Sequence, residues 1–566
     1  MAIHRVFDTS RDRLVFDVGH QCYVHKILTG RREEFDTLRQ WGGLSGFPKP
    51  YESIHDAFVA GHASNSVSVA LGMARARTMQ HQNYDVLALI GDGALGGGLS
   101  FEGLNNAGAS GEPLIVILND NGMSISPNVG AVSRHLSRLR TKPAYYEFKK
   151  KYRQILGGGA VGEKVYQMSH DVKTALKKTL LPGSSMFESM GFSYMGPVDG
   201  HDVEALEQSL RWAREQRCPV LLHVRTVKGK GYLPAEQSPA AYHGVPPFDV
   251  VTGKTLHVSA KDFSHVFGEE LVKLAAEEKR VCAITAAMQE GTGLTAFAKA
   301  YPGRLFDVGI AEGHAVSMAG GMAKQGLIPV FAVYSSFLQR GYEMLLQDVA
   351  LDRLHVVLGV DRAGLVGADG ETHHGCFDVL YLSQVPHMTV LCPSSFAELR
   401  RMLRRAVLKL DGPVAVRYPR GGEGMYRACC GDETFTQLRQ GCDCTILTYG
   451  ILINQALEAA ELLHLQGIEA RVVKLNTIVP LPEQETVAVL GREKRLLVLE
   501  DCMANGCVGQ RLAAILTSCG CAPDKLLLTN LGDTIPCHGS ISQLYTHCGL
   551  DAQSVADALE EACHEQ

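Results

Sequence analysis

A short apolar run, DVLALI at 85–90, leads straight into the glycine loop GDGALGGG at 91–98. Fifteen residues after that loop a second apolar run, PLIVIL, leads into NDNGMSIS at 119–126. Two apolar runs with room for a helix between them fit neighbouring parallel strands, about 4.8 Å apart, with both carboxyl ends at one sheet edge. Asp92 and Asn121 stand just past those ends. A carboxylate and an amide oxygen on adjacent loops can share a hard divalent cation, which takes its other ligands from water and phosphate oxygens. The Met123 carbonyl is placed to be a third oxygen ligand. Glycines let a backbone approach a phosphate closely, and Gly93 and Ala94 offer N–H groups where a following helix would start. The edge reads as a site for a magnesium-bound diphosphate.

The same loop fits a second pattern. Gly91-x-Gly93-x-x-Gly96 matches the dinucleotide fingerprint, with Asp120 ending the next strand as a ribose-binding acid would. Asp92 argues against it, because a carboxylate inside the loop repels a bare pyrophosphate, whereas a cation between them bridges the two. A glycine-rich turn without a ligand is a third reading. The density of glycines between 91 and 111 would then carry an entropic cost without a function.

The totals exclude several classes. A chain of 566 residues fits three to four domains. Its 46 % hydrophobic and 20 % charged residues are those of a globular protein, and a net charge of −5 gives no reason to expect nucleic acid or a membrane surface as a partner. No apolar run reaches the roughly 18–20 residues that a spanning helix needs. The sixteen cysteines form no CxxC pairs of a zinc site, and eleven of them lie from Cys429 onward. With no visible secretory signal, free thiols in a reducing cytoplasm are the expected state. A plastid location stays open.

Continuous apolar strands alternating with helix-like stretches imply parallel sheets covered on both faces. Four regions follow: an α/β domain over 1–245 with the two loops, a linker rich in Pro, Ala and Gly over 246–259, a second α/β domain over 260–425 and a third over 426–566.

More specific strings carry a family resemblance. DVGHQCYVHKILTGR at 17–31, GHASNSVSVALG at 61–72, GPVDGHD at 196–202, IAEGHAV at 310–316, YSSFLQRGYE at 334–343, DRAGLVGADGETHHG at 361–375 and VRYPRG at 416–421, together with GDG and NDN, resemble the 1-deoxy-D-xylulose 5-phosphate synthase family of the transketolase superfamily. The resemblance covers nearly the whole chain. It implies three parallel-sheet α/β domains of transketolase type, thiamine diphosphate with Mg2+, and condensation of pyruvate with glyceraldehyde 3-phosphate with loss of carbon dioxide, feeding isoprenoid, thiamine and pyridoxal precursors. It also implies a homodimer, with the cofactor between the diphosphate-binding and pyrimidine-binding domains.

Roles follow residue by residue. The cofactor activates itself through its aminopyrimidine, which needs a carboxyl group on a ring nitrogen. The resemblance gives that part to Glu312, whose bland alternative is a first-turn glutamate favouring a helix N-terminus. Asp92, Asn121 and Met123 would hold the cation. His20, Gly61, His62, Ala63, Gly93, Ala94 and Tyr232 would line the cofactor, and Phe337 would stack on its pyrimidine. Arg340, Arg362 and Arg420 would grip the phosphate of the second substrate through planar forks of donors. Tyr334, Asp369, His373 and His243 would complete the acceptor pocket, with His373 and Asp369 able to move protons and His20 and His243 as further catalytic candidates.

The resemblance also implies a longer first domain. Family members carry further chain ahead of HRVFDTSRDRLVFDVGHQ, including a Ser-Gly-His string whose histidine reaches the active site. A first domain truncated in this way would leave part of its sheet uncovered, and the expectation is low activity and poor solubility of 1–566 alone. A fragment, a protein split over two chains and a decayed copy all fit. A transketolase moving two-carbon units shares the cofactor chemistry, and a non-catalytic binding protein would keep the fold. The blocks around Asp369 and His373 lean towards the synthase.

Overall fold

A computed structural model describes residues 1–125, 127–141, 185–244, 246–256 and 261–564. Residues 257–259 of the expected linker lie outside the described residues. The chain forms two compact units, one of Met1–Asp36 with Gly46–Val258, the other of Thr37–Ser45 with Ser259–Gln566. The expected first segment thus gives up nine residues, 37 to 45, to the second unit.

The first unit is built on a five-stranded sheet in the order β1 (Arg13–Phe16), β2 (Val86–Gly91), β3 (Ile115–Asp120), β5 (Val220–Arg225), β4 (Ser193–Asp199). All its pairings are parallel, and Leu87 to Gly91 run in register with Ile115 to Asn119. The two apolar runs singled out in the sequence are therefore neighbours, and their carboxyl ends share one edge. Alternate side chains feed two cores. Val86, Ala88, Ile90, Val116 and Leu118 pack with Val67, Ala70 and Leu104 of the helices Ser66–Met79 and Gly98–Ser110. Leu14, Leu87, Ile115, Ile117 and Leu222 pack with Ala2, Val6, Leu210 and Ala213 of the helices Ala2–Val6 and Val203–Glu215. None of these five strand residues is more than 5 % exposed, so the expected uncovered sheet is not found at them.

Short-range chemistry sets the helix limits. Asp202 caps Val203–Glu215 by accepting the Ala205 amide, and Gly111, at φ 69°, closes Gly98–Ser110 in the left-handed conformation that glycine adopts without strain.

The second unit holds two sheets. The larger runs β15 (Thr477–Val479), β10 (Thr389–Leu391), β11 (Val414–Pro419), β9 (Val357–Ala363), β8 (Ile328–Tyr334), β6 (Val281–Thr285), β7 (Leu305–Asp307). The smaller runs β12 (Phe435–Arg439), β14 (Ala470–Leu475), β13 (Cys444–Tyr449), β16 (Arg495–Leu499), β17 (Lys525–Thr529). Both are parallel apart from one antiparallel edge strand each, β15 on β10 and β12 on β14. β15 comes from the third segment of the sequence and pairs with the sheet of the second. Buried ion pairs join the same two segments: Lys474 to Glu398 at 3.0 Å and Arg417 to Asp501 at 3.0 Å, while Arg417 also meets Asp378 of its own segment at 2.9 Å.

Candidate active site

In the first unit the loops after β2 and β3 meet. Asp92 begins the short helix Asp92–Leu95 and is 8 % exposed. Its Oδ2 accepts the Gly122 amide at 2.7 Å, and Asn121 Oδ1 accepts the Met123 amide at 2.9 Å. The oxygens expected to meet a cation therefore belong to one hydrogen-bonded turn. Burial, and then the hydrogen bond and charge of Asp120, push the Asp92 carboxyl up to about 7. A nearby cation is the natural relief for two crowded carboxylates. Gly93 leaves open the space against the turn: a Cβ there would lie 2.9 Å from Ser124 Cβ and 3.1 Å from Asn128 Oδ1. The Ala94 carbonyl accepts the Ser64 and Ser100 hydroxyls at 2.9 and 2.8 Å, which fixes the glycine loop from behind. Ser64 itself follows His62 and Ala63, and Asp17 accepts the amides of Ser64 and Ser66. The strings at 17 and at 61 are thus tied together, with the Val18 amide donating to the His62 carbonyl. Gly61 is buried in that loop. The donor set, a carboxylate, an amide oxygen and a carbonyl beside a glycine loop, fits a hard divalent cation carrying phosphate oxygens.

His20 and His243 lie together in this unit, ring centroids 4.7 Å apart. Lys228 donates to His243 Nδ1 at 2.9 Å and also to the Ser124 carbonyl beside the Asn121 turn. Burial lowers Lys228 to about 8 against the pull of Asp92, and burial, His20 and Lys228 lower His243 to about 3. The site therefore holds a neutral imidazole next to an ammonium. Lys228 was not among the expected site residues, although KGKGY at 228–232 carries the signal of a basic glycine loop. Tyr232 packs with Tyr242 and Phe248, centroids 5.7 and 5.9 Å away, and donates to the Val250 carbonyl at 2.9 Å.

The second unit gathers the remaining candidates at the carboxyl edge of β8 and β9. Tyr334 ends β8, and Phe337, one turn on, stacks on it at 5.6 Å and meets the His373 ring edge-on at 5.6 Å. The Arg362 guanidinium lies over the Tyr334 ring at 3.8 Å. Burial pushes the Tyr334 hydroxyl up to about 12. Asp369 is gripped from two sides: Arg420 Nη1 donates to Oδ2 at 3.0 Å and Arg39 Nη1 to Oδ1 at 2.6 Å. Burial alone would raise Asp369, but Arg420, His373, Arg39 and Arg362 more than offset it and hold the carboxyl below its usual range. His373 Nδ1 lies 2.9 Å from the Thr372 hydroxyl.

Glu312 opens the helix Glu312–Lys324 and is 4 % exposed. Burial raises its pKa, with Arg340 opposing, and a buried carboxyl at a helix start can hydrogen-bond a ring nitrogen. Arg340 Nη1 stands 3.5 Å from Glu312 Oε2. Arg340, expected beside the phosphate, is therefore partnered with the candidate activating acid, whereas Arg420 and Arg362 stay with Asp369 and Tyr334. Arg39 was missed, since nothing local in TLRQWGG marks it.

Comparison with known proteins identifies the kin. The family profile described as 1-deoxy-D-xylulose-5-phosphate synthase matches residues 1–226, the transketolase pyrimidine binding domain 259–422 and the transketolase C-terminal domain 434–555. A 1-deoxy-D-xylulose-5-phosphate synthase of Pelotomaculum thermopropionicum is 46 % identical over 99 % of this chain and 89 % of its own length. The chain belongs to the 1-deoxy-D-xylulose-5-phosphate synthase family. Synthase 1 of Geobacter sulfurreducens is 45 % identical over 99 % of this chain and 89 % of its own. A transketolase of Pichia stipitis, solved with xylulose 5-phosphate, aligns with a TM-score of 0.47 at 16 % identity over 99 % of this chain and 92 % of that one, and carries no argument at that level. The fold expectation stands on the family profiles and the parallel sheets: this is a transketolase-type α/β protein. It is an enzyme, a transferase of the synthase family. That family joins pyruvate to glyceraldehyde 3-phosphate with thiamine diphosphate and a divalent cation, at the head of isoprenoid synthesis. The nicotinamide reading falls away, and a transketolase is left as a distant alternative.

Proposed function

We propose that this chain itself makes 1-deoxy-D-xylulose 5-phosphate from pyruvate and D-glyceraldehyde 3-phosphate, with Mg2+ as its cation. The observation that carries the reading is Glu312, buried at the start of its helix in the IAEGHAV string, where burial raises its pKa. Thiamine diphosphate, when bound, supplies the carbon centre that holds the electron pair left by decarboxylation. Asp92, Asn121 and the Met123 carbonyl would hold the cation, and the amides of Gly93 and Ala94 would take phosphate oxygens. Glu312 would supply the carboxyl that hydrogen-bonds the pyrimidine ring nitrogen. Phe337 offers a flat apolar face. Arg362 and Arg420 bind the acceptor phosphate, and Arg420 would trade Asp369 for it. Asp369 and His373 manage protons at the acceptor aldehyde. The domain limits proposed are those of the sequence reading, and the enzyme is taken to work in the cytoplasm as a homodimer, the state that the family resemblance implies.

The test is steady-state kinetics with both substrates. Glu312→Ala is expected to lose turnover by at least roughly 100-fold, the usual scale for a positioned proton donor. Arg420→Ala is expected to raise KM for glyceraldehyde 3-phosphate about 10-fold or more and that for pyruvate little, as loss of a charge-assisted contact demands. Full activity of Glu312→Ala, or a KM effect confined to pyruvate, removes the respective assignment.

A further inference from the structure

Behind the cation loops lies a buried polar line that the family reading does not use. It crosses three neighbouring strands of the first sheet: Asp120 ends β3, His223 sits in β5 and Tyr194 in β4. His223 and Asp120 are fully buried and Tyr194 is 3 % exposed. His223 Nε2 is 2.9 Å from Asp120 Oδ2, and His223 Nδ1 is 2.9 Å from the Tyr194 hydroxyl. A carboxylate oxygen accepts, so Nε2 is the side that meets Asp120, and the Tyr194 hydroxyl matches Nδ1. The line reaches the candidate site at its other end. Asp120 Oδ1 accepts the Gly122 amide at 3.2 Å, and that same amide donates to Asp92 Oδ2 at 2.7 Å.

A histidine is an odd choice in VLLHVR at 220–225 if packing were its only task. Its neighbours Leu221, Leu222 and Val224 are apolar and buried. A buried imidazole must be matched by partners on both nitrogens to offset its desolvation. The fold provides for it: Gly196 lets β4 come close, since a Cβ there would stand 2.3 Å from the His223 carbonyl oxygen.

We propose that His223 is a positioning residue for the divalent-cation site, holding Asp120 from inside the sheet so that the turn Asn121–Gly122–Met123 presents its oxygens beside Asp92. The inference rests on the reading of Asp92 and Asn121 as cation ligands. Outer-shell histidine and carboxylate partners of this kind typically change metal affinity when lost.

The test is Mn2+ titration of the full chain in the presence of thiamine diphosphate, followed by the electron paramagnetic resonance of free Mn2+, alongside thermal melts. Wild type is expected to bind. His223→Leu, measured below its melting temperature, is expected to lose roughly 10- to 100-fold in Mn2+ affinity. His223→Gln, whose side-chain amide can replace the Nε2 donor, is expected to regain most of it, which a purely structural role would not require. Tyr194→Phe, which leaves Nδ1 without its hydroxyl, is expected to weaken binding several-fold. Unchanged affinity in folded His223→Leu overturns the proposal. Should that variant not fold, unchanged affinity in Tyr194→Phe together with lost affinity in His223→Gln overturns it equally. Failure of wild type to bind Mn2+ removes the cation site itself, a different outcome.

Discussion

Single side chains here work through partners far away in the sequence. Asp369 is held by Arg420, 51 residues later, and by Arg39, 330 residues earlier. Another such group is His4. Its Nε2 is 3.0 Å from His25 Nδ1, and His25 Nε2 is 2.8 Å from Asp56, which Arg31 also holds at 2.7 Å. Burial, then His25, the amino terminus and His55, lower His4 to about 4. A depressed histidine binds fewer protons folded than unfolded, so folding is favoured less as pH falls from about 6.5 to about 4, and not further above 6.5. Thermal melts between pH 7 and 4 are expected to drop less steeply for His4→Gln than for wild type. Equal slopes would sink the point. The candidate site strings were legible at this scale because each motif is contiguous: GDG, NDN and IAEGHAV single out Asp92, Asn121 and Glu312 as candidates without any structure. Arg39, Lys228 and the Asp120–His223–Tyr194 line were not, because their roles depend on long-range contacts.

At the scale of elements, glycines decide how closely helices pack. Gly268 lies in the helix Phe263–Glu277, and a Cβ there would sit 1.9 Å from the Gly293 carbonyl oxygen. Gly268→Ala is expected to destabilise by about 1–3 kcal/mol or more. Gly321, in the helix Glu312–Lys324, faces open space, so Gly321→Ala is expected to be neutral or to gain about 0.5–1 kcal/mol. Chemical denaturation separates the two, and a stable Gly268→Ala would refute the close approach. The strands themselves were readable as continuous apolar runs. The placement of β15, three residues from the third segment antiparallel to β10, was not, since so short a run carries no pairing partner in its own sequence.

At the scale of the whole molecule, the second unit is held together by charges as well as by apolar packing. Arg417 on β11 is 3 % exposed and faces Asp378 and Asp501, both buried. The two carboxylates, then Tyr449 and Cys392, more than offset the burial that would lower it and keep its pKa well above the ordinary value. Arg417→Met strands two buried carboxylates and is expected to cost about 3–5 kcal/mol, whereas adding Asp378→Asn and Asp501→Asn should recover most of that. Equal stability of the single and triple variants would show that the pairs are dispensable.

The sequence alone determined the parallel α/β architecture and the family, and it named the candidate cation-and-diphosphate edge, because apolar continuity and contiguous motifs are local properties of a chain. The tertiary structure decided which strand pairs with which sheet, that Arg340 stands beside Glu312 while Arg39 joins Arg420 on Asp369, and that His223, inside a sheet, meets Asp120 beside the Asn121 turn. Those outcomes depend on distances between residues hundreds of positions apart, and only packing sets them.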